Sequence, residues 1–374
     1  MSHTSVSPKN KNLLWALSGG RCEFEGCNKI LYRDILTNKK YNAAYVAHIV
    51  ADSPRGPRGD KELSKKLRDD IANLMLLCDA HHRLIDSSEG VVQYPRHRLL
   101  TMKRNHEDRI ERVTDIDVNK SSEIILYGAN IGEHNCPLSY EVACEAMNFE
   151  YYPASNHPIE LSLKNSLSQD RDELYWSTEE YNLVAQFNQK VKPRLMSCNT
   201  DHYSLLALAP QPLLIKLGTL YNDLHSVRVY QKHREPSTWK WQTATTKIEY
   251  KLVEPKDKTK QPALIFSLSA DINYERIEKV IGKTTSIWEI TIDSPNNDFL
   301  KTEKLLSDFR SITRYALNKI KLHHGRADLN IFPAMPVSAS IELGRVWMPK
   351  ADMPLIIYDE NREKDGFHKT LTIK

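Results

Sequence analysis

Residues 71–86 read IANLMLLCDAHHRLID, a run of apolar residues followed by a cysteine and two histidines. The apolar part leads into Cys78, and Ala80–Ile85 is typical of the start of a helix. Cys78 and His81 are separated by two residues, a spacing at which both side chains can bind one metal ion from a single turn. This stretch therefore predicts half of a metal site at the beginning of a helix.

The other half of the metal site lies upstream, where Cys22 and Cys27 are separated by four residues. Two such pairs on two tight turns give three sulfurs and one nitrogen, the ligand set that zinc prefers. Four protein ligands leave no open position, so we expect a structural zinc held by Cys22, Cys27, Cys78 and His81. The adjacent His82 could exchange roles with His81, although the CysX2His spacing favours His81. The other cysteines are expected to be ordinary buried residues: Cys136, Cys144 and Cys198.

The composition excludes several protein classes. The chain has 374 residues, 40% hydrophobic and 27% charged, so disordered and membrane-spanning proteins are poor matches. No apolar run approaches the roughly 20 residues of a membrane helix, and the first residues lack the apolar stretch of a signal peptide. We therefore expect a cytoplasmic protein without a membrane partner, whose six cysteines stay reduced. Residues 1–115 carry 20 basic and 15 acidic residues, against 32 and 33 in the remainder, so any polyanion contact belongs first to the N-terminal part.

A polar stretch without clear periodicity, residues 114–123, divides the chain. We predict an N-terminal domain over 1–115, a linker over 116–125 and a C-terminal domain over 126–374. In the last of these, apolar strands alternate with helical segments, which predicts parallel sheets with helical crossovers. A strand, a proline and a helix follow one another twice, which favours two related α/β halves. The clearest strands are SLLALAP (204–210), ALIFSLSA (263–270) and LNIFPA (329–334).

Three more residues lie close to the metal-binding pairs in the sequence. His48, in AlaHisIle, and Asn73, in AsnLeu, lie between the two pairs, and His82 directly follows His81. Over about residues 18–90 the chain resembles the HNH endonuclease family, whose ββα-metal finger is built from a first histidine, an asparagine and a last histidine. The resemblance includes the zinc-knuckle version of that motif. It implies an α+β zinc-knuckle ββα-metal (HNH) nuclease domain with His48, Asn73 and His82 as its catalytic residues.

These residue types suit phosphodiester hydrolysis, which needs a base for water and a cation for the developing charge. His48 ends an apolar strand and is the expected general base. His82 and Asp86 are four residues apart on one side of a helix, and their donors suit Mg or Mn as the catalytic metal. Asn73 would either fix the His48 loop or ligate through its amide oxygen.

One departure from the family pattern concerns the residue before the expected base. Many members have an acidic metal ligand there, and this chain has Ala47. The missing oxygen would then come from Asp86 or Asp52. Nearby arginines are candidate phosphate contacts to double-stranded DNA, and we expect little sequence preference because the family reads the backbone as much as the bases. The expected contacts are Arg55, Arg58 and Arg83.

In the C-terminal domain, candidate ligand contacts lie where strands end. Ligands of open α/β sheets bind outside the carboxyl ends of strands, and helix N-termini there attract anions. Segment 233–241 adds an arginine and two tryptophans that suit phosphates and bases. For each tryptophan, packing into the core is an equally good interpretation. The candidate contacts are Pro210, Gln211, Lys216, Arg234, Trp239, Trp241, Pro333, Met335 and Ser338.

These segments resemble the SAVED domain, which consists of two fused Rossmann-like (CARF-like) halves, and the likeness runs over most of 126–374. An HNH domain followed by a SAVED domain is similar to the effector nuclease of bacterial CBASS anti-phage systems. The resemblance implies that a cyclic di- or trinucleotide second messenger binds the SAVED domain, drives homo-oligomerisation and switches on degradation of double-stranded DNA.

Two alternatives remain open at this point. One is an HNH restriction endonuclease whose C-terminal domain reads modified or specific DNA, although the near-neutral charge of that part is poor for gripping a duplex. The other is a non-catalytic zinc-finger adaptor, which would leave His48, His82 and Asp86 without a role.

Overall fold

The computed structural model describes residues 6–130, 138–148, 150–162, 168–172, 174–197, 202–221, 225–243, 247–361 and 366–374. The chain divides into two compact units, Met1–Asp117 and Val118–Lys374. The predicted linker is wrong in its second half, because a strand begins at Ser121. Ile124 and Ile125 of that strand are buried, so this part of the predicted linker belongs to the core of the second unit.

The N-terminal unit is a small α+β fold. Its elements are α1 (Pro8–Leu17), β1 (Ala44–His48), α2 (Leu63–Lys66), a 3₁₀ turn (Ile71–Asn73), β2 (Leu74–Cys78), α3 (Asp79–Asp86), α4 (Ser88–Gln93) and α5 (Arg96–Thr114). Ser7 caps α1 by accepting a hydrogen bond from the Asn10 amide. Pro8 takes the first helical position, where its missing N–H leaves no partner unsatisfied.

β1 and β2 form an antiparallel hairpin in which Ala44 lies opposite Cys78 and His48 lies opposite Leu74. All of β2 is buried, in keeping with its continuous apolar run. Because α3 starts directly after Cys78, its first turn lies at the Ala44 end of the hairpin. The helix then runs back along the strands, and this ββα arrangement brings its last turn towards the His48 end.

The C-terminal unit is larger and has both helices and mixed sheets. Its elements up to residue 229 are β3 (Ser121–Gly128), α6 (Tyr140–Met147), β4 (Tyr152–Pro153), β5 (Ile159–Glu160), α7 (Tyr175–Gln186), a π-helical turn (Phe187–Val191), α8 (Lys192–Ser197), β6 (His202–Leu208), α9 (Gln211–Leu220) and β7 (Ser226–Val229). The remainder consists of β8 (Lys251–Val253), β9 (Gln261–Ser267), α10 (Tyr274–Ile281), β10 (Thr285–Thr291), α11 (Glu303–His324), β11 (Leu329–Ala334), α12 (Val337–Val346), β12 (Leu355–Asn361) and β13 (Gly366–Ile373).

Two sheets organise this unit. The first has the strand order β4-β3-β6-β7, with β5 also paired to β3, and every pairing is parallel. The second has the order β13-β12-β11-β9-β10-β8, with four parallel inner strands and an antiparallel strand at each edge. The predicted α/β class with helical crossovers is thereby confirmed, and the antiparallel edges are an addition to it. None of the helices in the described residues is long and apolar enough to cross a membrane.

The helices α9 and α12 occupy equivalent places in the two halves. Each follows a central strand, begins directly after a proline (Pro210 or Pro336) and has ten residues. They cross at Gly218 and Gly344, where a Cβ atom on either glycine would lie 2.0 Å from a carbonyl oxygen of the other helix. The two halves therefore pack together through a backbone contact that a larger residue would prevent. Among the cysteines expected to be buried, Cys144 is half-buried on α6, and Cys136 and Cys198 lie outside the described residues.

Candidate functional site

The two predicted metal pairs meet at one end of the β1–β2 hairpin. The ligand atoms of Cys22, Cys27, Cys78 and His81 all lie within 4.8 Å of one another. Nδ1 of His81 is 3.2 Å from Sγ of Cys78 and 3.6 Å from Sγ of Cys22. Among the residues that the structure describes, this is the one group of three or more potential metal donors. Three sulfurs and one imidazole nitrogen are the donors of a closed zinc site.

Local packing holds this cysteine knuckle in shape. Gly26 has a φ of 78°, a left-handed conformation that favours glycine. Phe24 stacks on the His81 ring with the centroids 4.1 Å apart, which fixes the direction of the imidazole. Burial raises the pKa of the Cys22 thiol and lowers the pKa of His81. A bound cation is what keeps buried thiols deprotonated, so the donor set fits zinc, which the three cysteines and His81 would hold.

His48 is the last residue of β1, and its Nε2 atom is 2.9 Å from the carbonyl oxygen of Arg68. A carbonyl oxygen can only accept, so in the neutral ring Nε2 carries the hydrogen and Nδ1 keeps its lone pair. Nδ1 is therefore the nitrogen that can take a proton from water. His48 lines a cavity of about 940 Å³ whose wall also includes His82 and Asp86. The structure thus brings the predicted base and the predicted metal-binding pair to one space.

Asn73 is buried and is bound to the backbone on both sides of the hairpin end. Its Oδ1 accepts from the Val50 amide at 2.9 Å, and its Nδ2 donates to the carbonyls of Val50 at 2.9 Å and Leu67 at 3.2 Å. Its own carbonyl accepts from the Ile49 amide at 2.8 Å. These bonds tie the residues that follow His48 to the start of β2. Of the two roles left open by the sequence, the geometry supports fixing the loop, because Val50 already uses the amide oxygen.

His82 and Asp86 lie on one face of α3, with Nε2 of His82 3.7 Å from Oδ2 of Asp86. The other carboxylate oxygen, Oδ1, accepts from Arg58 at 2.7 Å. Tyr45 stacks on the His82 ring at a centroid distance of 4.9 Å and holds it towards the cavity side of the helix. Nε2 of His82 and Oδ2 of Asp86 are therefore available together as ligands for a metal ion. An Mg or Mn ion held by this pair would complete its shell with water and substrate oxygens.

The prediction that Arg58 contacts DNA is wrong. Its side chain is only 6% exposed, and each of its three nitrogens donates inside the protein. The partners are the carbonyls of Ile49 at 2.7 Å and Ile85 at 2.5 Å, together with Asp86. Arg58 therefore joins the end of β1 to the end of α3, and its buried guanidinium is directed into the protein rather than towards a phosphate.

The other predicted DNA contacts lie on the surface. Arg55 is exposed and lines the same cavity as His48. Asp52, the second candidate for the missing metal oxygen, also lines that cavity. Arg83 is exposed and forms an ion pair at 2.9 Å with Asp79, one turn earlier on α3.

In the C-terminal unit, the amino end of α12 is bound by two glutamines from the first half. Gln211 begins α9, and its Oε1 accepts from the Met335 amide at 3.2 Å. Gln231 follows β7, and its Oε1 accepts from the amide of Ser338 at 3.1 Å and from its hydroxyl at 2.7 Å. The sequence points to Gln211, Met335 and Ser338 at this junction, and no pattern in it points to Gln231. The two halves are thus connected where both predicted strand ends meet.

Several predicted ligand contacts are not open to a ligand. Trp239 is 4% exposed and packs among apolar residues of α6 and the first sheet, so the core interpretation holds for it. Lys216 points to α7, where its Nζ lies 2.8 Å from Glu180. The prediction for Trp239 is therefore wrong, whereas the one for Lys216 stays a prediction. The remaining buried candidates are Pro210, Pro333, Met335 and Ser338.

The segment around Arg234 combines an exposed arginine with a buried histidine and a half-buried tryptophan. Arg234 is exposed, and its backbone amide donates to Asp298 at 3.0 Å. His233 beside it is fully buried and meets the edge of Trp241 at a centroid distance of 5.6 Å. Within the described part of the chain, neither ring nitrogen of His233 nor Nε1 of Trp241 has a hydrogen-bond partner. Burial lowers the pKa of His233 to about 4, so the neutral ring offers one donor and one acceptor. Unpaired buried polar atoms are costly, and a polar ligand could pair them.

A model of the SAVED family, described as "SMODS-associated and fused to various effectors sensor domain", matches residues 183–373, about half of the chain. The chain belongs to the SAVED family. The match runs from α7 to the end of β13 and contains both α9 and α12. It therefore confirms the predicted sensor class of the C-terminal unit. The N-terminal unit lies outside the matched range, so its nuclease assignment stays a prediction.

Solved structures of Cap4 SAVED/CARF-domain containing receptors match the chain at low similarity. The Acinetobacter baumannii Cap4 SAVED/CARF-domain containing receptor with the cyclic trinucleotide 2′3′3′-cAAA is 12% identical, with a TM-score of 0.45, and the match covers 83% of this chain and 66% of the receptor. The Moraxella osloensis Cap4 receptor is also 12% identical, with a TM-score of 0.41, and the match covers 75% of this chain and 60% of the receptor. The SAVED chain described here thus spans less than two thirds of the receptors it matches. No curated protein matches the chain significantly.

Proposed function

We propose that this SAVED protein is a metal-dependent DNA endonuclease of anti-phage defence that is switched on by a cyclic oligonucleotide. The observation that supports the nuclease part is the cavity shared by His48, His82 and Asp86 in a ββα unit. The cysteine knuckle beside the same hairpin supports it further. Membership of the SAVED family supports the sensor part.

In the proposed reaction, Nδ1 of His48 takes the proton from the attacking water. The Arg68 carbonyl holds the ring in the tautomer that leaves this nitrogen unprotonated. Asn73 positions the loop that follows His48 and does not contact the substrate. His82 and Asp86 would hold the Mg or Mn ion, which supplies stabilisation of the charge that develops on the phosphate. Arg55, exposed at the cavity, would contact a neighbouring phosphate.

In the proposed sensor, the messenger binds where α9 and α12 begin. The N-terminus of each helix carries partial positive charge and favours a phosphate group. The half-buried Trp241 would offer a stacking surface for a base, and the exposed Arg234 would pair with a phosphate. The Acinetobacter baumannii Cap4 receptor was solved with the cyclic trinucleotides 2′3′3′-cAAA and 3′3′3′-cAAA, which makes these molecules the first ones to test.

Messenger binding activates the nuclease only if the messenger binds the active assembly more tightly than the resting form. A ligand that bridges the two halves of the SAVED domain, or two copies of the chain, would provide this difference in affinity. We therefore expect the chain to form a larger homo-oligomer in the presence of its messenger and to cut double-stranded DNA in that state.

The decisive experiment is a supercoiled-plasmid cleavage assay with Mg or Mn against a panel of cyclic di- and trinucleotides, with molecular mass measured in parallel. Cleavage that depends on one panel member, together with an increase in mass, supports the proposal. Equal cleavage with and without every panel member would contradict the sensor part and favour a restriction endonuclease. Messenger binding without any metal-dependent cleavage would contradict the nuclease part.

A further inference from the structure

Residues 29–42 form a hairpin arm that precedes β1. The Asp34 amide donates to the Lys39 carbonyl at 2.9 Å, and the Tyr41 amide donates to the Tyr32 carbonyl at 3.1 Å. At its base, the arm is attached to the core through Leu31, which is fully buried. None of the residues assigned to the zinc site or to the HNH motif lies in this arm, so the arm has no assigned role.

The tip of the arm exposes two large aliphatic side chains. Leu36 is 92% exposed and Ile35 is 64% exposed, which is unusual for adjacent residues of this type. Neither contributes to the core of the N-terminal unit. An exposed apolar tip of this kind indicates a contact surface rather than a structural part of the fold.

The tip is nevertheless well ordered by its own hydrogen bonds. Oδ1 of Asp34 accepts from the amides of Leu36 at 3.2 Å and Thr37 at 2.8 Å, and from the Thr37 hydroxyl at 2.9 Å. Asn38 takes a left-handed conformation with a φ of 54°, which asparagine tolerates in tight turns. The backbone that carries Ile35 and Leu36 is therefore already fixed, so little entropy is lost when a partner binds.

The arm is strongly basic around this apolar tip. Its charged residues are Lys29, Arg33, Lys39 and Lys40 against the single acid Asp34, and all four basic residues are exposed. Two aliphatic side chains cannot supply the roughly 1,600 Å² of a stable protein–protein interface. An apolar pair surrounded by positive charge instead fits a polyanion that has an apolar interior, and duplex DNA is such a partner.

The position of the arm connects it to the proposed active site. Asn42, the last residue of the arm, lines the same cavity as His48, and so does Tyr45 of β1. The chain passes from the arm into the strand that ends in His48 without any intervening element. DNA held by the arm is therefore held beside the cavity.

We propose that the arm is a DNA-binding wedge: Ile35 and Leu36 insert into the minor groove between base pairs, and the flanking lysines and Arg33 contact the phosphates on either side. This inference rests on the proposed nuclease function and adds the element that grips and deforms the substrate. Apolar wedges of this kind unstack a base step and bend the duplex. The bend would present the backbone beside the wedge to His48.

The test uses the full chain with His48→Ala, so that DNA is not cut, and a duplex that contains 2-aminopurine, whose fluorescence rises on unstacking. Binding is measured with and without the cyclic-nucleotide panel. The double variant Ile35→Ser/Leu36→Ser should bind about tenfold more weakly, which corresponds to about 1.4 kcal/mol, and should lose the fluorescence rise. The variant Lys39→Gln/Lys40→Gln should keep the fluorescence rise at saturation and lower the slope of log affinity against log salt by about 2.

Val92→Ser is the matched control, because Val92 is 80% exposed on α4 and lies outside the arm. It should bind and unstack DNA like the parent chain. If Ile35→Ser/Leu36→Ser does the same while the unmodified chain cuts plasmid, the wedge is disproved and the nuclease proposal stands. Normal DNA binding with loss of the mass increase would instead assign the tip to a contact between copies and also overturn the wedge. If the unmodified chain neither binds nor cuts DNA, both proposals fail together.

Discussion

The imidazole of His48 donates from Nε2 to the carbonyl oxygen of Arg68 across 2.9 Å. This one bond decides which ring nitrogen is basic, because the carbonyl holds the hydrogen on Nε2. The accepting carbonyl belongs to a residue 20 positions further along the chain, in the segment between α2 and the 3₁₀ turn. The proposed base is therefore oriented by the fold as well as by its own strand.

His48→Ala should lower DNA cleavage by about 10²–10⁴-fold, because the variant lacks the group that takes the proton from water. Binding of the cyclic nucleotide and the associated mass increase should not change, since His48 belongs to the N-terminal unit. The measurements are plasmid cleavage and ligand titration on the same preparation. His97→Ala, at an exposed histidine of α5, should cut normally. Wild-type cleavage by His48→Ala would mean that the base is misassigned.

Asn73→Ala should reduce the cleavage rate without changing the concentration of Mn that gives half-maximal activity. The buried side chain holds the Val50 backbone by two hydrogen bonds, and its loss leaves those groups unpaired at a cost of about 1–3 kcal/mol. Manganese titration of activity and thermal melting of the N-terminal unit check the two expectations. Asn105→Ala, at an exposed site on α5, is the control. An increase in the half-maximal Mn concentration would show that Asn73 is a metal ligand after all.

Cys22→Ser should abolish zinc binding and unfold the N-terminal unit while the C-terminal unit keeps its own melting transition. A closed site of this kind adds its metal-binding free energy to folding, and the two units have separate cores. Elemental analysis should find one zinc per wild-type chain and a loss of it in the variant. Cys144→Ser, on α6 of the other unit, should keep the metal. A normal melting profile for Cys22→Ser, or wild-type protein without zinc, would contradict the structural role.

The cysteine knuckle was predictable from the sequence because its ligands form two pairs with short spacing. Residues so close in sequence also lie close together in the folded chain. The contacts of Arg58 could not be predicted in this way. Its partners at Ile49 and Ile85 are backbone carbonyls, which leave no trace in residue types. Only the return of α3 along the hairpin places them around one guanidinium.

The same limit applies to the proposed ligand site. Gln231 lies 107 residues from Ser338, so no local pattern links them. Lys216 forms an ion pair with Glu180 on another helix, a contact that no local sequence pattern predicts. Trp239 and Trp241 lie two residues apart in one segment, and among the described residues Trp239 is buried in the core while the indole nitrogen of Trp241 has no hydrogen-bond partner. The sequence favours core packing and ligand contact equally for each tryptophan, so it does not distinguish them.

Acid should destabilise the C-terminal unit in a way that His202 explains in part. The ring is buried and near Arg228 and Lys120, and these surroundings lower its pKa to about 4 from the usual 6.5. Between these values the unfolded chain binds more protons than the folded chain, so stability is present above about pH 6.5 and is lost as the pH falls towards 4. One such histidine contributes a loss of about 2 kcal/mol between pH 7 and 5.

Melting curves at pH 7, 6 and 5 measure this loss. His202→Gln should be less stable than wild type at pH 7 but should lose less stability on acidification. His233, which burial also holds neutral, should contribute to the remaining slope. His157→Gln, at an exposed position, should keep the wild-type slope. An unchanged slope in His202→Gln would mean that the ring is not neutral in the folded protein.

Gly218→Ala should destabilise the C-terminal unit by about 3 kcal/mol or more, although alanine favours helices over glycine by about 1 kcal/mol. The two effects have opposite signs, and the packing effect is larger because the added Cβ would lie 2.0 Å from the Ile341 carbonyl oxygen. The helices α9 and α12 would have to separate, and the amino ends proposed to bind the messenger would move with them. Denaturant unfolding of the full chain and cyclic-nucleotide titration measure both effects. Thr178→Ala, at an exposed position of α7, is the control and should change the free energy of unfolding by no more than about 0.5 kcal/mol. A Gly218→Ala chain as stable as wild type would show that α9 and α12 are not in backbone contact.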